Sequence, residues 1–320
     1  MLAVLENDTG LEAALRGAEL RYIKLGSGNA WAGQALEAGE IHLGHLAVPH
    51  ELALTGDRDA ITAHLVEQGR SPAKARDFAR EIADFYTLPQ DTVWITFAEG
   101  QLWWAQAHSD VTWLGVGEGH GARMRRTRAP WRNTNIAGQT LTQAALSTRL
   151  TKVAAYRQTL CGVEADAYLR RKLLGEEDPL VTRALAVRGE AVEAASSLIT
   201  ALHWADFETL VDLLLARGGW HRTSALGGTM KDADLLVEQP VTGETALVQV
   251  KSAASQATLE DYVARFDADP ALSRLIFVCH SPRGQLTRPD RSDVTLWTRE
   301  GLAEAALQAG LLDWLIARSG

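Results

Sequence analysis

The stretch from Asp232 to Ser252, DADLLVEQPVTGETALVQVKS, constrains this chain more than any other. Two runs rich in leucine and valine flank the turn PVTGET, the pattern of an antiparallel hairpin. Side chains alternate faces along a strand, so Leu247, Gln249 and Lys251 project one way and Val248 and Val250 the other. The turn brings Asp234, at the opening of the first run, back toward the end that carries Gln249 and Lys251. A carboxylate, an amide and a lysine thus gather where the strands should be burying apolar side chains.

The surroundings of the hairpin fix its fold class. From about residue 200 the order is a helix (WADFETLVDLLLARGG), the two hairpin strands, a helix (ATLEDYVARFDAD), strands RLIFVCH and DVTLWT, and a helix (GLAEAALQAGLLDWLIAR). Helices alternating with β runs define an α/β domain, and the hairpin makes its sheet mixed, flanked by helices.

At one strand end those groups make a site for a phosphodiester. Mg²⁺ takes oxygen ligands and keeps several waters. Asp234 offers a charged oxygen, and Gln249 or the Val250 carbonyl a neutral one. Lys251 supplies positive charge where negative charge grows in the transition state. Glu208 borders the apolar face Phe207, Leu210, Val211, Leu214 and Leu215 of the preceding helix, within reach of the same end. The bland alternative is a chance string in which the lysine is a solvated strand-end residue.

At these residues the order FETLVDLLLARGGW, KDADLLVEQ, ALVQVKS resembles the Mrr-type branch of the PD-(D/E)xK nucleases, as in type IV restriction endonucleases. The resemblance covers residues 200–320 and matches Glu208, Asp234, Gln249 and Lys251 to the family's site. The chain departs at GGTMKDAD, where the family carries a glycine-rich GDGGxD run. The resemblance implies an endonuclease dependent on Mg²⁺, or Mn²⁺ in its place, acting on DNA in restriction or phage defence. One such site cuts one strand, so a double-strand break implies a homodimer. A repair or recombination nuclease for branched DNA would use the same residues, and a degenerate nuclease fold would only bind nucleic acid.

Ahead of this domain, residues 1–145 read as β-rich and residues 146–199 as an alanine-rich helical connector. Ile23, Lys24, Gly26, Gly28, Trp31, Gly39, Ile41 and Gly44, with the hairpin DTVWITFAEGQLWWAQA, resemble PUA/EVE-like domains. That implies a small β-barrel that reads an extruded or modified DNA base. Such reading needs aromatic faces. Trp31, on a glycine-rich turn, is the first candidate; of the adjacent Trp103 and Trp104, one must face the core. The segment GARMRRTRAPWR sets Arg123, Arg125, Arg126, Arg128 and Arg132 beside Trp131 as a candidate phosphate-binding patch. His42, His45 and His50 lack neighbours that would complete a metal site, so structural roles are expected.

The net charge of −8 excludes a uniformly basic surface but not a local basic one. No apolar run is long enough for a membrane span. The opening MLAVLENDTG has acids where a secretion signal needs basic residues. With Cys161 and Cys279 far apart and read as reduced, a cytoplasmic location is expected.

Overall fold

The computed structural model describes residues 2–117, 119–223 and 235–319, with side chains from residue 10 onward. The chain divides into two units, residues 1–178 and 179–320.

The first unit runs α1 (Leu2–Gly17), β1 (Leu20–Ile23), α2 (Ala32–Ala38), β2 (Glu40–Leu43), α3 (His50–Leu54), α4 (Arg58–Glu67) and α5 (Pro72–Thr87). It continues with β3 (Val93–Ala98), β4 (Gln101–Gln106), β5 (Thr112–Trp113), β6 (Arg123–Arg126), α6 (Thr148–Thr151), β7 (Leu160–Gly162) and α7 (Asp166–Leu174). The expected hairpin is β3–β4, turning at Glu99 and Gly100, both with positive φ. One sheet has the order β4-β3-β1-β7, and a second has β2-β6-β5. Strands β1 and β3 are parallel, so the chain must cross over between them, and α2 to α5 lie in that crossover. The expectation of a PUA-like barrel is corrected here: among the described residues neither sheet closes, and the unit is mixed α/β.

Two cores flank the larger sheet. Trp94 and Ala105 pack on one side with Ile82 and Phe85 of α5, while Tyr22, Val93, Ile95 and Trp104 pack on the other with Leu169 and Leu173 of α7. Trp104 is thus the core member of the tryptophan pair, and Trp103 is partly buried against the opposite side.

Residues 146–199 do not form a separate connector. Leu150, Val153, Cys161 and Leu169 belong to a core of the first unit, and β7 pairs with β1. A three-residue strand is too short to show a period, so it read as part of the helical run. The rest of the segment is α8 (Pro179–Ala201), which opens the second unit.

The second unit continues with α9 (Trp204–Arg217), β8 (His221–Arg222), β9 (Leu235–Gln239), β10 (Glu244–Lys251) and α10 (Gln256–Ala268). Then follow β11 (Arg274–Cys279), β12 (Val294–Thr298), α11 (Arg299–Gln308) and α12 (Leu312–Ser319). The sheet order is β12-β11-β10-β9-β8. Strands β8, β9 and β10 are antiparallel to their neighbours in turn, whereas β10, β11 and β12 run parallel. Ala246, Val248, Val250, Ile276 and Val278 face a core shared with α8, α9, α11 and α12. Leu247, Leu275, Phe277 and Cys279 face α10. The single helix expected near the C-terminus is two, because Gly310 adopts φ 68° between them. That left-handed conformation suits glycine and ends a helix. Among the described residues no helix is long and apolar enough to cross a membrane, and both cysteines are buried and free.

Candidate active site

Strand β10 positions the first two candidates. Its alternation puts Val248 and Val250 into the helix-packed core and leaves Gln249 and Lys251 on the face toward α10. Gln249 is 1% exposed. Lys251, at the last position of the strand, is half-buried, and its ammonium lies 5.8 Å from the ring centroid of Tyr262 on α10. A cation over an aromatic face is held electrostatically, which fixes the direction of a flexible lysine. The Val250 side chain is buried in the core, so only its main chain faces the question of ligation.

Helix α9 brings the third. His203 caps it, its ring nitrogen accepting from the Ala205 amide at 3.4 Å, and its apolar face packs on the sheet. Phe207 meets the imidazole of His280 edge-on, with centroids 4.6 Å apart. His280 follows Cys279, the register partner of Lys251. The first turns of α9 therefore sit at the strand end that carries Lys251, and the half-exposed Glu208 is the residue after Phe207. Asp234 and Asp232 lie outside the described residues; in the sequence Asp234 directly precedes Leu235, which pairs with Val248.

His280 was not anticipated. It is 6% exposed, its Nδ1 is 2.8 Å from Ser281 Oγ, and its buried Nε2 has no hydrogen-bond partner among the described residues. Burial, with a contribution from Arg299, lowers its pKa. The only signal was a histidine closing an apolar strand. Among the described residues no cluster of three or more His, Cys, Asp or Glu could hold a metal ion. The oxygen donors of Glu208 and Gln249 are nonetheless the kind that a hard divalent cation takes.

The arginine-rich segment is corrected in part. Arg123 and Arg125 are fully buried and cannot meet DNA phosphate. Arg123 donates to the carbonyls of Gly44, His45 and Val48 at 2.6–2.9 Å. Arg125 donates to those of His108 and Leu88 at 2.6 and 3.0 Å. Loop carbonyls inside a protein need donors, and a guanidinium supplies five. Burial lowers the pKa of both and brings Arg125 to about 10. Arg126, Arg128 and Arg132 are exposed. Arg126 lies 3.7 Å from Glu40, and Arg132 sits over the Trp104 ring. Trp31 is half-buried against the core, with its ring lying on Gly26, where a Cβ would come within 2.7 Å of it.

Residues 199–306 match the family model Mrr_cat, described as a restriction endonuclease. The match takes in α9, the hairpin strands and the parallel strands that follow, and it supports an Mrr-type nuclease domain in the second unit. No curated protein and no solved structure matches the chain.

Proposed function

We propose that the second unit is a divalent-metal-dependent DNA endonuclease of restriction type. The observation that carries this reading is the placement of Gln249 and Lys251 at the end of β10, next to the end of β11 against whose His280 Phe207 of α9 packs, inside the segment that matches the restriction endonuclease family.

Glu208, Gln249 and Asp234 are the side chains that would hold Mg²⁺ or Mn²⁺, with the Val250 carbonyl as a further oxygen. The bound cation would supply charge neutralisation and an acidified water. Gln249 contributes a neutral oxygen, so two carboxylates carry the negative charge at the site. Lys251, steadied over Tyr262, holds its positive charge beside the scissile phosphate and stabilises the charge that develops there. The apolar body of the sheet beneath excludes water and strengthens each of these interactions.

In the first unit, Arg126, Arg128 and Arg132 are the arginines of the basic segment available to backbone phosphate. Two copies of the chain would place one site on each strand of a duplex. The substrate would be foreign DNA, distinguished by sequence or base modification.

The test is incubation of the purified protein with modified and unmodified plasmid, with Mg²⁺, with Mn²⁺ and with chelator. Metal-dependent linearisation supports the reading. Preference for branched over linear duplex would move it to repair or recombination. Binding without any cleavage in either metal would make the fold a binding module and end the catalytic assignment.

A further inference from the structure

Outside the candidate active site, an unusual local structure occurs at His45 in the first unit. Its φ is 60°, a left-handed conformation that residues with a Cβ rarely adopt. Such strain persists only where the surroundings over-determine it, and it gathers at ligand sites. The surroundings here are explicit. The buried guanidinium of Arg123 holds the carbonyls of Gly44, His45 and Val48, so the loop has no freedom to relax. The His45 Nε2 lies 2.8 Å from Glu81 Oε2, and Glu81, 2% exposed, also accepts from the Thr159 amide at 3.0 Å. With Nε2 engaged by that carboxylate, Nδ1 is the ring nitrogen left to hydrogen-bond a ligand.

This imidazole borders an open cleft of about 690 Å³. Leu46, Leu65 and Phe78 form its apolar wall. Arg70 stands at its edge, exposed, with its guanidinium 5.7 Å from the Phe78 ring centroid. The cleft thus offers an apolar wall, one imidazole nitrogen oriented by a buried acid, and one cation. A ligand that satisfies all three has a flat, largely apolar body, a hydrogen-bonding edge and an anionic group nearby. A nucleotide has these three parts, and the cleft is within the size range of small-ligand sites, roughly 300–1,000 Å³.

We propose that the cleft at His45 is a nucleotide-binding site, with the base against Leu46, Leu65 and Phe78, the base edge hydrogen-bonded to His45 Nδ1, and the phosphate at Arg70. The nucleotide comes either free or as one unit of a DNA strand. The site is independent of the nuclease reading, because nothing in it belongs to the second unit.

The experiment is calorimetric titration of the full-length protein in chelator, where no metal-dependent cleavage occurs. The titrants are the four deoxynucleoside monophosphates and the four corresponding single-stranded homo-oligonucleotides. At least one should bind, and Arg70→Ala should weaken it roughly tenfold, the loss of one charge-assisted contact. Arg70 is exposed, so this variant keeps the fold; His45→Gln should weaken the same ligand with a change in base preference. Binding of monophosphates assigns a free nucleotide, and binding of oligonucleotides alone assigns a strand. No binding of either kind overturns the proposal, as does binding that Arg70→Ala and His45→Gln leave unchanged.

Discussion

The ring of Phe207 and the imidazole of His280 meet at 85° with their centroids 4.6 Å apart. This contact fastens α9 to the end of β11, beside the Lys251 end of β10. It gives Glu208 a fixed place relative to the end of β10, although Gln249 and Lys251 are more than forty residues further along the chain. Glu208→Gln removes a carboxylate from a half-exposed position without touching the packed face of α9. Cleavage should fall by roughly 100-fold or more, on the order of 3 kcal/mol of transition-state stabilisation. The melting temperature should stay that of the wild type. Plasmid cleavage rates and thermal melts of the two proteins check this; a variant that cleaves at the wild-type rate would remove Glu208 from the site.

Gln249 allows a sharper test, because it is 1% exposed. Gln249→Glu buries a carboxyl group, and a buried charge without a counter-charge is costly. If Gln249 is a metal ligand, that cost is offset by the cation. The variant should melt below the wild type in chelator and recover with Mg²⁺ or Mn²⁺, since a ligand bound only by the folded state stabilises it. Thermal melts with and without metal read this directly. Equal destabilisation in both buffers would mean that no cation reaches this side chain.

Lys251 and Tyr262 separate charge from placement. Lys251→Ala should abolish cleavage and leave DNA binding within a few-fold, because one phosphate contact among many is lost. Tyr262→Leu keeps the ammonium but removes the ring beneath it. An exposed cation–π contact is worth about 0.5–1 kcal/mol, so cleavage should drop only by a few-fold. Single-turnover rates on a labelled duplex distinguish the two. A Tyr262→Leu protein as inactive as Lys251→Ala would show that the ring does more than hold the lysine.

The second unit was largely legible in its sequence, for physical reasons. The β10 run alternates, its turn carries Gly243 with φ 72°, and helices long enough to show a period flank it. The face shared by Leu247, Gln249 and Lys251 follows from that alternation alone. What stayed hidden depended on partners distant in sequence. Glu81 lies on α5, well away from His45, and nothing local marks the pair. Arg123 and Arg125 looked like surface charge because arginine usually is, yet both lie on a strand whose inward face meets loop carbonyls. The parallel pairing of β1 with β3 was equally invisible, since four helices separate the two strands.

Two buried histidines set an acid limit on stability. Burial lowers the pKa of His280, with Arg299 adding to the effect. Burial also lowers that of His42 against the opposing pull of Glu40. A group whose folded pKa lies below its unfolded value binds more protons when unfolded, so stability rises with pH. This contribution is complete above the ordinary histidine pKa of about 6.5 and is lost as the pH falls through it toward the lowered values. Denaturation midpoints should therefore be lower at acidic than at neutral pH. His280→Asn should flatten the part of that dependence that belongs to the second unit. An unchanged pH profile in this variant would show that His280 does not titrate on unfolding.

The arginines of residues 123–132 divide into two groups with opposite expected phenotypes. Arg123→Ala leaves the carbonyls of Gly44 and Val48 without this donor, while that of His45 keeps the Val48 amide at 3.2 Å. Each buried carbonyl left unsatisfied costs roughly 1–3 kcal/mol, so the loss should be about 3 kcal/mol or more. In a unit of this size that is a fall in melting temperature of about 6–12 °C. The exposed set should behave in the reverse way. Arg126→Ala, Arg128→Ala and Arg132→Ala combined remove no buried hydrogen bond and should leave melting nearly unchanged. If these side chains meet phosphate, each lost contact should reduce the slope of log K against log salt by about 0.9 on duplex DNA. Binding measured across a salt series, alongside thermal melts, separates the two groups. A triple variant with the wild-type slope would show that this face of the first unit does not touch the DNA backbone.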